Sequence, residues 1–131
     1  MFRIVNQYKN STKGPVVFLQ HGIFRSCDDW VDISEGGLNE RHNYYENGRE
    51  ILNNCKSYQN NPPANTLGFV LADCGYDVWM GNSRGTTYSN EHQTLSNMDP
   101  RFWQYSFQQM GEYDLPTSID FVLEKTGQSK L

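Results

Sequence analysis

The clearest potential for catalysis in this sequence lies in a serine motif at residues 81–85. Gly81-Asn82-Ser83-Arg84-Gly85 has the G-x-S-x-G spacing, in which a tight turn can expose a serine hydroxyl for attack on an ester. A nucleophilic serine in this motif requires a helix directly after it, but residues 86–90 (Thr-Thr-Tyr-Ser-Asn) are poor helix formers. A catalytic triad of this type also needs an acid and then a histidine downstream, and His92 is the only histidine after Ser83. We therefore expect Ser83 to be a turn residue at a strand end, with Arg84 paired to a nearby carboxylate.

The same motif could line a binding site without supplying a nucleophile. It follows a predicted strand, and in open α/β sheets the carboxyl ends of parallel strands are where ligands bind. Asn82, Ser83 and Arg84 are therefore candidates for lining a site at that edge.

A second candidate site is the turn Gln20-His21-Gly22-Ile23, which follows four apolar residues. A buried strand that ends in a His-Gly turn leaves backbone N–H groups directed above the sheet edge, where they could hold a developing oxyanion. The same pattern is also typical of a strand-to-loop turn in any α/β domain. His21 could be a general base, but no nucleophile lies near it in sequence. We favour a turn residue whose ring bonds a backbone carbonyl.

A β–α–β unit is expected to position these turns. Val16 to Leu19 predicts a strand buried on both faces, 65–75 predicts a helix, and 76–80 predicts a second strand, parallel to the first because of the crossover. Asn65 or Thr66 would cap the helix. Its buried stripe is expected to be Leu67, Val70, Leu71 and Cys74.

Elements on either side of this unit are also predicted. Phe2 to Val5 favours a short strand, and Asp99-Pro100 is typical of a helix start. Gly111 is expected to interrupt that helix and Asp114 to cap the next, which would end at Thr126-Gly127. The expected apolar positions are Trp103, Phe107 and Met110 in the first helix and Leu115, Ile119, Val122 and Leu123 in the second.

Residues 34–63 differ from the rest of the chain in composition. They are rich in Asn and contain Gly36-Gly37 and Pro62-Pro63, which is typical of a surface insertion. The expected organisation is therefore a single domain over 1–131 with a polar insertion at about 34–63.

Composition excludes several classes of function. The net charge is −4 with no basic patch, which argues against a nucleic-acid partner, and no apolar run is long enough for a transmembrane segment. The cysteines are Cys27, Cys55 and Cys74, and their spacing indicates no zinc site; at most one disulfide could form. Asn10 begins a glycosylation sequon, and the first five residues do not resemble a signal peptide.

Several stretches of the chain together resemble the acid lipase family, that of the gastric and lysosomal acid lipases. The similar stretches lie in the family's order and are Pro15 to Ile23, Asp29 to Val31, Leu71 to Gly85 and Tyr113 to Leu123. The resemblance implies an α/β-hydrolase fold, with a mostly parallel sheet and flanking helices. It also implies hydrolysis of triacylglycerols or sterol esters by a Ser-Asp-His triad without a cofactor, in a secreted or lysosomal protein.

The resemblance assigns roles to particular residues. The backbone N–H of Ile23 is the expected oxyanion donor, and His21 and Gly22 shape its loop. Ser83 does not correspond to the family's nucleophile, whose strand would begin just after Leu131, and the 34–63 insertion has no counterpart of that length. We therefore expect a partial hydrolase domain, truncated before the nucleophile strand and inactive alone. The alternative is a truncated, non-catalytic paralogue that binds lipid or a partner protein.

Overall fold

A three-stranded sheet forms the centre of the fold in the computed structural model, which describes residues 1–5, 14–31 and 66–131. The strands are β1 (Phe2–Ile4), β2 (Val16–Leu19) and β3 (Asp77–Met80), in the order β1–β3–β2. β2 runs parallel to β3, and β1 runs antiparallel to it. Among the described residues the sheet is therefore mixed, and the expected mostly parallel sheet is not confirmed. An antiparallel edge strand is a common addition to parallel sheets.

The predicted β–α–β unit is present. Helix α1 (Leu67–Asp73) connects β2 to the parallel strand β3, with the paired register running from Val16–Asp77 to Leu19–Met80. Thr66 occupies the N-cap position, but its side chain makes no capping hydrogen bond, so the predicted cap by Thr66 is wrong. Asn65 and the 34–63 insertion lie outside the described residues.

The buried face of α1 differs from the predicted stripe. Leu67 is 46% exposed, whereas Gly68, Ala72 and Asp73 are buried, and only the predicted burial of Cys74 is fully confirmed. The cause is Gly68, since a Cβ there would lie 2.8 Å from the carbonyl oxygen of Trp30. The helix backbone packs closely at a residue without a side chain, and a pattern based on large apolar residues does not detect this.

Gly68→Ala is accordingly expected to destabilise the fold by about 1–3 kcal/mol, because the added methyl overpacks the contact with Trp30. Urea unfolding followed by tryptophan fluorescence measures the change. Gly111→Ala is the matched control, since a Cβ at Gly111 meets no atom within 4 Å. Equal stability of the two variants would contradict the close packing at Gly68.

Successive side chains of the strands pack on opposite faces of the sheet. On one face a core cluster is formed by Ile4, Leu19, Cys27, Ala72, Val78 and Met80. On the other, Val16 and Trp79 pack with Val122 of helix α3 (Leu115–Thr126). This alternation places α1 and α3 on opposite faces, as flanking helices of an α/β fold.

The segment from 99 to 127 is partly as predicted. Asp99 caps a 3₁₀ turn at Pro100–Trp103 by accepting the Arg101 N–H, but no α-helix follows directly. Helix α2 (Phe107–Gln109) begins instead at a capping box and passes through a π turn (Met110–Asp114) into α3, so Gly111 does not interrupt it. α3 ends at Gly127, whose positive φ of 67° closes the helix as predicted.

Two further observations concern cysteines and membranes. Cys74 is disulfide-bonded and Cys27 is a buried free thiol, in agreement with the expected limit of one disulfide. Within residues 1–5, 14–31 and 66–131, the helices are too short or too polar to cross a membrane.

Candidate functional site

A cleft of about 920 Å³ lies where β2 and β3 end. Its walls come from residues 20–26 after β2, residues 83–87 after β3, and parts of 103–115. The cleft therefore sits at the carboxyl ends of two parallel strands, the edge at which α/β sheets place their ligands. Ser83 and Arg84 border it, whereas Asn82 lines a neighbouring shallow pocket.

Ile23 lies in a tight turn on the cleft wall. The turn is closed by a 3.2 Å hydrogen bond from the Arg25 N–H to the Gly22 carbonyl. The backbone N–H of Ile23 donates to no acceptor in the part of the chain that the structure describes. Phe24 takes a φ of 65°, which is unusual for a bulky residue. The turn thus leaves one backbone donor available beside the cleft.

His21 is a buried turn residue with both ring nitrogens engaged. Its Nε2 accepts the backbone N–H of Ser83 at 3.1 Å, and its Nδ1 lies 2.7 Å from the Gly22 carbonyl oxygen. Because Nε2 accepts, the proton is on Nδ1, which donates to Gly22. This matches the favoured interpretation, a ring bonded to a backbone carbonyl, and leaves neither nitrogen free to act as a base.

The contacts of Ser83 indicate a structural role and not that of a nucleophile. Its Oγ accepts a 3.1 Å hydrogen bond from Gln20 Nε2, and its contact with His21 is made through the backbone N–H, not the hydroxyl. His92 accepts backbone N–H groups of Thr94 and Leu95 at Nδ1. Among the described residues, no histidine is therefore placed to activate Ser83.

Asn82 links the loop after β3 to the segment after β2 through its side chain. Its Oδ1 accepts the Cys27 N–H at 3.1 Å, and its main-chain oxygen accepts Ser89 Oγ. The loop after β3 is thus joined to the segment after β2 by three hydrogen bonds of two motif residues, Asn82 and Ser83: Gln20 to Ser83, Ser83 to His21, and Cys27 to Asn82.

Arg84 forms the predicted ion pair, and its carboxylate partner is Asp114. Asp114 accepts the Arg84 backbone N–H at 2.9 Å and the guanidinium at 2.6 Å. The hydrogen bond to Asp114 raises the pKa of Arg84 above its usual value. Asp114 was expected to cap α3, but its side chain makes no capping bond, so this prediction is wrong. Its carboxylate instead ties the loop after β3 to the start of α3.

Tyr105 was not detected in the sequence, since an isolated tyrosine carries no local signal. Its hydroxyl donates to the Arg84 carbonyl at 3.3 Å, and a Cβ on Gly85 would collide with that hydroxyl. Gly85 also has a positive φ of 83°. Glycine is therefore needed at position 85 for both the backbone angle and the approach of Tyr105.

Burial raises the pKa of Tyr105 above its ordinary value of 10.0. The phenol therefore has a higher pKa in the folded chain than in the unfolded chain. Its contribution to the free energy of unfolding is fully present below the unfolded pKa of about 10 and is lost as the pH rises through the folded pKa. Tyr105→Phe is expected to show a weaker loss of stability above pH 10 than the parent chain. Unfolding midpoints between pH 8 and 11 measure it, with exposed Tyr113→Phe as control. Identical pH slopes for the parent and Tyr105→Phe would contradict the burial.

Apolar side chains dominate the outer wall of the cleft. Phe24 is 96% exposed, Phe107 75% and Trp103 49%. Together with Met110 and Leu115 they give the cleft a surface suited to hydrocarbon. No group of three or more metal-ligating side chains occurs among the residues that the structure describes.

Comparisons with known proteins agree with these features. A family model described as "Partial alpha/beta-hydrolase lipase region" matches residues 1–34. The chain is 45% identical to the gastric triacylglycerol lipase of Bos taurus over 117 residues, which is 89% of this chain and 22% of that lipase. It is 42% identical to the human lysosomal acid lipase/cholesteryl ester hydrolase, over 98% of this chain and 26% of that enzyme.

A further human relative, lipase member N, is 44% identical over 117 residues. The chain thus spans about a quarter of the length of the curated relatives it matches, between 22% and 26% for these three.

Proposed function

The chain matches the N-terminal part of the acid lipase family, as its motifs predicted, and from this premise we propose that it carries the oxyanion loop of a serine hydrolase of lipid esters. The substrates in this proposal are triacylglycerols or sterol esters. The observation that carries it is the Ile23 N–H, which has no acceptor among the described residues and lies in the wall of a cleft with apolar side chains.

In the proposed mechanism a serine attacks the ester carbonyl and negative charge develops on its oxygen. The Ile23 N–H donates to that oxygen, while His21 and Gly22 shape the turn that presents it. One such donor stabilises the transition state by about 3 kcal/mol when the oxyanion lies within hydrogen-bond distance. No cofactor takes part in this mechanism.

The nucleophile is not assigned to Ser83 in this proposal. Its hydroxyl is bonded to Gln20 and no histidine is placed to activate it. The serine, its acid and its histidine would come from lipase sequence that is not among these 131 residues. Asn82, Ser83 and Arg84 then line or support the site, and the 131 residues alone are expected not to hydrolyse esters.

A specific experiment separates this proposal from catalysis by Ser83. The 131-residue chain and the product of the complete native transcript are each assayed with a p-nitrophenyl butyrate solution and a triacylglycerol emulsion. We expect hydrolysis only by a product that adds a Gly-x-Ser-x-Gly strand. Its Ser83→Ala variant should keep the same rate within about threefold, because the substitution removes only the hydrogen bond from Gln20 and keeps the backbone N–H that His21 accepts. Turnover by the 131 residues that is lost in Ser83→Ala would overturn the proposal.

The exposed apolar side chains favour one alternative, a non-catalytic paralogue that binds lipid or a partner protein. Phe24 and Phe107 project beside the cleft at 96% and 75% exposure, and exposed apolar surface of this kind marks binding sites. A native transcript without a serine strand, whose product binds phospholipid vesicles or a partner lipase but hydrolyses nothing, would support this alternative over the lipase.

We also propose a secreted or lysosomal location for the protein. The disulfide at Cys74 suits an oxidising compartment. The sequon at Asn10 lies outside the described residues, and in the secretory pathway it would accept an N-glycan. Protein from secreting cells is expected to lose apparent mass on treatment with an N-glycosidase, and an Asn10→Gln variant is expected not to change. A parent chain whose mass is unaffected would contradict the proposed glycan.

A further inference from the structure

One peptide unit joins the proposed oxyanion donor to the ring of His21. The Gly22 carbonyl accepts from His21 Nδ1 at 2.7 Å and from the Arg25 N–H at 3.2 Å. The peptide bond between Gly22 and Ile23 is planar and trans, so its carbonyl and its N–H point in opposite directions. Two bonds that hold the Gly22 oxygen therefore also fix the direction of the Ile23 N–H.

The loop after β3 determines which nitrogen of His21 can donate. Ser83 presents its backbone N–H to Nε2 at 3.1 Å, and a nitrogen that accepts this bond cannot carry a proton. The neutral ring then has its proton on Nδ1, facing the Gly22 carbonyl. A backbone amide cannot reverse its role, so this selection of the tautomer is built into the loop.

Ser83 is itself held from two sides. Gln20 donates to its hydroxyl at 3.1 Å, and the next residue, Arg84, is bound through its backbone N–H and guanidinium to Asp114. The Asp114 side chain is only 18% exposed. The Ser83 N–H is thus fixed relative to both β2 and the start of α3.

We propose that His21 is a positioning residue for the oxyanion donor, with its tautomer selected by the backbone N–H of Ser83. The inference rests on the proposed function, because it takes the Ile23 N–H as that donor. The Gly-Asn-Ser-Arg-Gly loop then contributes a hydrogen bond that makes His21 Nδ1 a donor, and it contributes no nucleophile.

The first test measures the tautomer in the 131-residue chain itself. Nitrogen NMR of the ¹⁵N-labelled imidazole distinguishes a protonated from an unprotonated ring nitrogen. We expect His21 to show a protonated Nδ1 and an unprotonated Nε2. A protonated Nε2 would overturn the proposal, and this measurement needs no variant to fold.

The second test uses two substitutions that each keep one of the two bonds. The amide of His21→Asn can donate to the Gly22 carbonyl as Nδ1 does, and the oxygen of His21→Gln can accept the Ser83 N–H as Nε2 does. We expect the ¹H–¹⁵N resonance of the Ile23 amide to stay near its parent position in the Asn variant and to shift in the Gln variant. Equal shifts in both variants, or the reverse order, would overturn the proposal.

Catalysis gives a separate readout in an ester-hydrolysing form of the protein. There kcat is expected to fall about 10-fold in His21→Gln and less in His21→Asn, with KM little changed, because the donor is displaced but the substrate surface is not. His92→Asn is the matched control, since His92 also accepts backbone N–H groups but is not part of the cleft wall at Ile23. A larger fall of kcat in His21→Asn than in His21→Gln would overturn the positioning role.

If no native product hydrolyses an ester, the proposed function fails, and the NMR measurements still decide the positioning role.

Discussion

Replacing Arg3 with alanine is expected to lower the free energy of unfolding by about 3 kcal/mol, because it leaves a buried carboxylate without its cation. Asp77, at the start of β3, is 1% exposed. Arg3 Nε and one terminal nitrogen each donate to a different oxygen of Asp77 at 2.7 Å. The guanidinium also lies over the ring of Trp79, 4.8 Å from its centroid. Arg3 therefore connects β1 to the central strand through both charge and packing.

Urea unfolding of the parent chain and three variants measures this effect. Arg101→Ala is the control, since Arg101 forms an ion pair of similar geometry with Asp99 but its side chain is 69% exposed. That variant is expected to lose less than about 1 kcal/mol. Arg3→Lys should fall between the two, because lysine keeps the charge but not the paired geometry. A loss in Arg3→Ala no larger than that in Arg101→Ala would show that the buried pair contributes little.

The two parallel strands and the helix between them could be predicted because their signals are local, whereas the antiparallel pairing of β1 was not predicted. The apolar run 16–19, the Gly75 turn and strand 77–80 are each recognisable from their own composition, and the parallel direction of the two strands follows from the crossover between them. The turns at Gly22 and Gly81 could be found for the same reason, as interruptions at the ends of these runs. Their joint position at one sheet edge followed from the parallel arrangement.

Contacts between distant residues could not be predicted in the same way. Asp114 precedes a proline at the start of a helix, which is the local pattern of a cap, but its carboxylate is used by Arg84, 30 residues earlier. Gly68 is buried because a backbone carbonyl approaches it, and glycine contributes nothing to an apolar pattern. In both cases the tertiary partner decided the role of a residue whose local signal suggested another.

The largest expected effect on catalysis comes from Ile23→Pro, which removes the proposed oxyanion donor. In an ester-hydrolysing form of the protein, kcat is expected to fall about 10²–10³-fold, the effect of losing one such donor elsewhere. Ile23 is the second residue of the turn closed between Gly22 and Arg25, a position that proline accepts in tight turns, so the fold should be retained. The fall in kcat would then reflect weaker stabilisation of the transition state and not a loss of folding stability.

Kinetics with p-nitrophenyl butyrate and thermal unfolding of the same preparations test this prediction. Ile23→Val is the matched control, because it changes the exposed side chain but keeps the backbone N–H, and it should retain kcat within about twofold, as expected for a conservative exposed change. Ile23→Pro should keep KM near the parent value, since the apolar wall of Phe24, Trp103 and Phe107 is untouched. A proline variant that folds and retains the parent kcat would mean that the oxyanion is held by other donors, and the turn after β2 would then have only a structural role.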